Sequence, residues 1–342
     1  MNNIQSLHSH TLLSDGKFTH LEMLNLAEKY GISVLAFTDH DYLPDGKIID
    51  QLKAYKGPVK WLIGIEISSG LPKEMGGGED GPHMIGLFVD PTSKGIQDYC
   101  IKSQQERTNR MKLMVKSFQN LGFDITKEDC FKFTTGATLG QPHIVAALKS
   151  KEKNLKLIDE FMEKARKRGE TDPQIKAKYD LMMQRGEGQY PYMLFLSSDA
   201  IFSGVRVPLQ FWMDLDESVS IIRNAGGVAT IAHYSYAREK IPLEMVEKLL
   251  KEDRLDGMET VYGVEAIDTN LEQIFVEDKQ KIRKWLKTYG KIASGGSDAH
   301  KEEDLKRFAE NEDYSRETVG MVEKILQFSP VDTSWSNLKN QA

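Results

Sequence analysis

Residues 33–41 read Ser33-Val-Leu-Ala-Phe-Thr-Asp-His-Asp41, an apolar run that ends on polar side chains able to bind metals or move protons. A run this short and apolar is a buried strand, and one that only filled a core would simply turn at its end. Working outward, similar runs recur at about residues 4–8, 60–67, 84–89, 228–233, 257–262 and 291–295. Helical patterns lie between most of them: residues 21–30 before Gly31, 217–224 before Gly226 and 275–289 before Gly290, each glycine serving as a C-cap. Alternating strands and helices, with seven strands in all, predict an α/β fold in which a parallel sheet closes, or nearly closes, into a barrel.

Two stretches break the alternation. Only 16 residues separate Glu66 from His83, and they include Pro72, Gly76, Gly77, Gly78 and Gly81. That is too short and too glycine-rich for a crossover helix, so strands 60–67 and 84–89 are expected to pair as an antiparallel hairpin. Residues 96–200 are helical and highly charged, and residues 126–199 read as an inserted helical subdomain near the barrel mouth that carries His143. Residues 1–125 and 200–342 are then left to form the barrel.

Composition narrows the function. The chain has 342 residues, enough for one large domain or two, and 45 basic against 51 acidic residues give a net charge of -6. No global basic field exists to gather duplex DNA, so an anionic ligand must find local positive charge. The two cysteines, Cys100 and Cys130, have no CxxC spacing, which excludes a disulfide scaffold and a thiolate zinc module and fits a reducing cytosol. The N-terminal residues lack a basic stretch followed by an apolar one, and no run approaches the ~18 apolar residues of a membrane span. A cytoplasmic protein without membrane contact is expected.

Most of the eight histidines fall at strand ends, where an α/β barrel places its chemistry. His8 and His10 end the first strand at positions i and i+2, so both imidazoles face one side. Asp15 follows in Ser-Asp-Gly, and His40 ends the second strand. Glu66 sits inside Ile63-Gly-Ile-Glu-Ile67, where a buried carboxylate is costly without a cationic partner. His83 opens the next strand and reaches the same rim only if that strand runs backwards. Asp298 and His300 close the last strand, again as i and i+2. Together with His143, this makes six histidines and three carboxylates, enough donors for more than one ion. Three divalent ions against three carboxylates would leave about +3, a pocket that attracts anions despite the acidic chain.

These residues resemble a known family. His8-x-His10 with Asp15, Thr38-Asp-His-Asp41, Gly64-Ile-Glu66, His83, Pro142-His143, Ala232-His233 and Gly296-Ser-Asp-Ala-His300 are similar, in order, to the motifs of the PHP (polymerase and histidinol phosphatase) family. The resemblance spans residues 1 to about 300, with 150–200 unmatched. It implies a distorted (β/α)7 TIM-like barrel with a helical insertion, and two to three divalent ions (manganese, zinc or iron) that hydrolyse phosphoesters. Carried over by position, His8, His10, Glu66 and Asp298 would hold a first ion, Glu66, His83 and His143 a second, and Asp15, His40 and His300 a third. The chain is most similar to stand-alone phosphoesterases acting on nucleoside 3',5'-bisphosphates or 5' ends of short RNA, so a small phosphorylated substrate is the implied partner. It departs from them in having Gln141 where they commonly have Arg, and Tyr234 where they commonly have Pro.

Arg107 and Arg110, three apart on one helical face, and Arg206 are candidate phosphate contacts in place of that arginine. A leaving alkoxide needs a proton, for which His233, or a water protonated through Asp39, is the candidate source. Three rivals stand beside this reading. Amidohydrolases also begin with HxH and end with an Asp, but Thr38-Asp-His-Asp41 and Asp298-Ala-His300 favour phosphoester chemistry; a histidinol-phosphatase-like enzyme would share the centre and differ in substrate. A non-catalytic metal module would close with four ligands and leave the remaining donors unexplained. Asp298→Asn is expected to lower metal-loaded phosphoesterase activity by orders of magnitude with an unchanged circular dichroism spectrum, and full activity would show the centre to be misassigned.

Overall fold

The computed structural model describes residues 3–79, 81–134, 139–262, 269–328 and 331–338. Seven strands form one sheet: β1 (Ile4–Ser6), β2 (Ile32–Phe37), β3 (Lys60–Ser68), β4 (His83–Leu87), β5 (Val228–Ile231), β6 (Gly257–Tyr262) and β7 (Ile292–Gly296). They are hydrogen-bonded in chain order, and the predicted runs match them to within a few residues. Pairings β1–β2, β2–β3, β5–β6 and β6–β7 are parallel. β4 is antiparallel to both neighbours, as the short glycine-rich connection requires.

The sheet curls until its ends meet. Leu7 N–H donates to the Gly295 carbonyl at 2.9 Å, and Ser9 bridges Ala299 in parallel register. Gly296 makes this approach possible, because a Cβ there would lie 2.3 Å from His8 N and 2.6 Å from its Cβ. Apolar side chains fill the barrel and its outer layer, with Phe37, Trp61, Leu62, Ile63, Ile65 and Met258 at most 1% exposed. Burial of this kind is the dominant favourable term in folding.

Local signals fix the surrounding helices. The helix His20–Lys29 starts with a capping box, Thr19 and Glu22 each closing on the other's backbone, and ends before Gly31 at φ +73°. The helix Leu215–Asn224 starts with the same device, built from Asp214 and Glu217. Asp256, just before β6, accepts from Ala229 N–H at 2.7 Å and pairs with Arg223 at 2.7 Å, which ties β5 and β6 to that helix.

The chain divides into two compact units, Met1–Ser103 with Phe211–Ala342, and Gln104–Gln210. The first is the barrel. The second is helical, with its own core of Phe118, Phe123, Phe161, Phe195 and neighbouring aliphatic side chains. It begins earlier than residue 126 because Met111, Met114, Val115 and Phe118 of the helix Lys94–Asn120 belong to this core, and it ends later than residue 199 because Ile201 and Val205 do as well. Among the described residues no helix is long and apolar enough to cross a membrane.

Gly296→Ala forces β1 and β7 apart, since the obstructing atoms are the backbone and Cβ of His8, which no rotamer change can move. Overpacking of this kind costs about 1–3 kcal/mol, which at this chain length lowers the unfolding midpoint by roughly 1–4 °C. A thermal melt checks it; an unchanged midpoint would mean that the closure does not depend on that glycine.

Candidate metal centre

The C-terminal ends of β1, β2, β3, β5 and β7 and the start of β4 bring their polar residues to one rim. Reversal of β4 places His83 opposite Ser68, two positions beyond Glu66, and sets its Nδ1 2.8 Å from Glu66 Oε1. Three residues of this rim stand in left-handed backbone: Asp41 at φ +48°, His233 at φ +24° and Asp298 at φ +50°. Such conformations persist in non-glycine residues only where the surroundings enforce them, and they cluster at functional sites.

Four donors converge first. His8 Nε2 lies 3.2 Å from His10 Nε2, 3.3 Å from Glu66 Oε2 and 3.3 Å from Asp298 Oδ1. His10 Nε2 lies 3.2 Å from Glu66 Oε2 and 3.1 Å from Asp298 Oδ1. Both Nε2 atoms face each other and two carboxylates, a convergence of nitrogen and oxygen donors suited to a shared cation. The spacing fits: ligands about 2.1 Å from one tetrahedral ion sit roughly 3.4 Å apart.

Two further groups have donor atoms within 4.8 Å of one another: His10, Asp15, His40 and His300, and His40, Glu66 and His83. The first group matches the expected first set. The second contains all of the expected third set plus His10. In the last, His40 stands with Glu66 and His83 where the resemblance implies His143. Glu66 joins the groups, with Oε2 3.1 Å from His40 Nδ1 and Oε1 2.9 Å from His233 Nε2.

A second layer orients the candidate ligands. His8 Nδ1 is 3.0 Å from Glu259 Oε1, and Glu259 Oε2 accepts His233 N–H at 2.8 Å. His10 Nδ1 is 3.4 Å from Ser14 Oγ, whose hydroxyl donates to Asp39 Oδ1 at 2.7 Å. Asp39 also accepts Thr11 N–H at 2.7 Å and the Thr11 hydroxyl at 2.8 Å. Asp39, read from sequence as part of a proton relay, is thus engaged in holding the loop after β1 and, through Ser14, the His10 ring. Sequence reasoning missed Glu259 and Ser14. The signal for Glu259 was present, an acid inside the apolar strand Gly257–Tyr262, the same anomaly that marked Glu66.

Electrostatics reflect the crowding. For His10, burial opposes the charged ring, but its hydrogen bonds to Asp298 and Glu66 prevail and raise its pKa to about 10. His40 goes the other way: burial, only partly offset by Glu66 and Asp15, lowers it to about 4. Burial pushes Glu66 and Asp298 up, yet the surrounding histidines hold both well below the usual carboxylate range. His233 is raised, its hydrogen bond to Glu66 outweighing burial.

The remaining expected residues belong to the helical unit. His143 is buried in the first turn of the helix Gln141–Lys149, and its Nδ1 accepts Gly140 N–H at 3.0 Å. Arg107 and Arg110 line one crevice with Gln141, and Arg110 Nε donates to the Val207 carbonyl at 2.5 Å. Arg206 is half-buried.

Loss of an outer-layer partner typically costs 10- to 100-fold in metal affinity. Glu259→Gln and Ser14→Ala are each expected to weaken metal retention by about that factor with the fold intact, read as residual metal after challenge with graded chelator. Wild-type retention in both variants would show that the second layer does not hold the rings.

A PHP domain model matches residues 6–325. The chain is 22% identical over 233 residues to a 5'-3' exoribonuclease of Salmonella typhimurium, covering 67% of this chain and 65% of the relative. It therefore spans just under two thirds of that relative's length. It is 24% identical over 298 residues to a 3',5'-nucleoside bisphosphate phosphatase of Chromobacterium violaceum, covering 86% of each. A solved structure described as a metal-dependent phosphoesterase of Bifidobacterium adolescentis shares the fold, with a TM-score of 0.63 at 20% identity over 93% of this chain and 96% of the other. With the family's domain running almost from end to end of a barrel whose strand ends gather histidines and carboxylates, this chain belongs to the PHP domain family.

Proposed function

We propose that the chain is a metal-dependent phosphoesterase that hydrolyses nucleotide phosphates, either nucleoside 3',5'-bisphosphates or the 5' ends of short RNA, with two to three divalent ions of manganese, zinc or iron. The observation that carries the reading is the set of three donor groups, linked pairwise through His10, His40 and Glu66 and built only from histidine and carboxylate donors. Donors of this mixture suit all three metals. Bound ions supply hydroxide from water at neutral pH and neutralise phosphoryl charge, so no nucleophilic side chain is required.

The chain's own residues then have distinct tasks. Glu66, Asp298 and Asp15 offset cationic charge, while the histidines fix the donor positions. His233, whose pKa the contact with Glu66 raises, stands at the rim and is the candidate acid for the leaving alkoxide. Asp39 and Ser14 act as positioning residues for His10. The relatives' names support a nucleotide or RNA substrate, since both are described by that chemistry.

The test is phosphate release after manganese loading from adenosine 3',5'-bisphosphate, 5'-AMP, histidinol phosphate and a short 5'-phosphorylated RNA, with RNA length followed on a gel. Release from the bisphosphate or shortening of the RNA is expected. Turnover of histidinol phosphate alone would replace the nucleotide reading with a small-molecule one. A protein that retains its ions and turns over none of the four would overturn the substrate assignment.

A further inference from the structure

Tyr236 is 61% exposed, the most exposed large aromatic side chain among the described residues, and it stands at the metal centre. Its ring centroid is 5.4 Å from that of His233 at an interplanar angle of 72°, and His233 touches Glu66. The ring continues a line of imidazoles in which His40 to His83 is 5.3 Å and His83 to His233 is 5.2 Å. His40 and His83 of this row are candidate metal donors, and the outermost member is a largely exposed phenol.

The turn that presents Tyr236 is tied down on every side. His233 N–H is held by Glu259 at 2.8 Å, and Tyr236 N–H by the His233 carbonyl at 3.0 Å. Tyr234, which stands where the similar phosphoesterases commonly have proline, buries its ring to 2% exposure and donates its hydroxyl to the Ile241 carbonyl at 2.8 Å. Ser235 N–H donates to the Tyr262 hydroxyl at 3.2 Å. An exposed aromatic ring on so constrained a turn is preorganised, which spares the ordering cost of binding a flat partner.

We propose that Tyr236 is a specificity-determining residue that stacks on the base of a nucleotide whose phosphate lies at the metal centre. A nucleoside monophosphate carries its base one ribose away from its phosphate, and Tyr236 stands one imidazole away from Glu66. Every base offers a π-face, so such a platform selects nucleotides as a class over simple sugar phosphates without choosing among bases. The inference rests on the phosphoesterase reading above and adds the part of the substrate that this residue recognises.

The experiment compares 5'-AMP with ribose 5-phosphate, which keeps the phosphate and sugar and lacks the base. Values of kcat and KM are measured by phosphate release on manganese-loaded wild type, Tyr236→Ala and Tyr236→Trp, and 5'-AMP binding is followed in parallel by calorimetry. Stacking on an aromatic side chain predicts that Tyr236→Ala lowers the kcat/KM preference for 5'-AMP over ribose 5-phosphate by about 5- to 150-fold, mainly through KM, and that Tyr236→Trp restores it. An unchanged preference in Tyr236→Ala overturns the stacking role and leaves the phosphoesterase reading standing. An equal fall in kcat on both substrates overturns it too, marking the ring as a cover for His233. A wild type that neither binds nor hydrolyses 5'-AMP overturns the platform, while the nucleotide reading is decided by the bisphosphate and RNA probes above. Where 5'-AMP is bound but not turned over, the same loss of about 5- to 150-fold is expected in the calorimetric affinity of Tyr236→Ala, and an unchanged affinity overturns the platform.

Discussion

A single buried carboxylate holds the centre together. Glu66 is 0% exposed, with Oε2 between 3.1 and 3.3 Å from His8, His10 and His40 and Oε1 2.8 Å from His83 and 2.9 Å from His233. An unpaired charge in that position would cost several kcal/mol. Its partners come from the ends of β1, β2 and β5 and the start of β4, so satisfying one side chain requires four strands to be in register. The parallel bridge between His40 and Glu66, with Asp41 N–H on the Glu66 carbonyl at 2.8 Å, supplies part of that register from the backbone itself.

The architecture serves this constraint in two ways. Reversal of β4 turns the start of a strand toward a rim otherwise made of strand ends, which adds His83 to the ring of donors. Closure of β7 onto β1 brings Asp298 within 3.1 Å of His10 although they are far apart in sequence. Around them the structure spends polar groups on rigidity: Glu259 on His8 and on the turn after β5, Ser14 and Asp39 on His10, and Asp41 on Ser68 N–H at 2.9 Å. Rings oriented in this way keep their inward-facing nitrogens aimed, which underlies donor sets of defined geometry.

Much of this was legible along the chain, and the reasons differ from one residue to another. Strands and helix stops are local properties, so β1 to β7 and the glycine-ended helices were readable from runs of apolar residues and from Gly31, Gly226 and Gly290. The hairpin followed from the length of its connection. Donor residues stood out because polar groups at strand ends, and an acid inside Ile63-Gly-Ile-Glu-Ile67, contradict the surrounding pattern. The extent of the helical unit was less legible, because the helix Lys94–Asn120 runs past residue 103 without any change in its pattern and only packing shows that Met111 to Phe118 serve a separate core.

The sequence by itself determined the fold class and the chemical character of the rim, since both depend on the order and spacing of residue types within short segments. Only the tertiary structure decided which donors share a group, that His40 stands beside Glu66 and His83, that Asp39 is engaged in positioning, and that Tyr236 lies against His233. Those relations depend on register between strands distant in the chain and on the left-handed backbone at His233 and Asp298, and neither is encoded in any one segment.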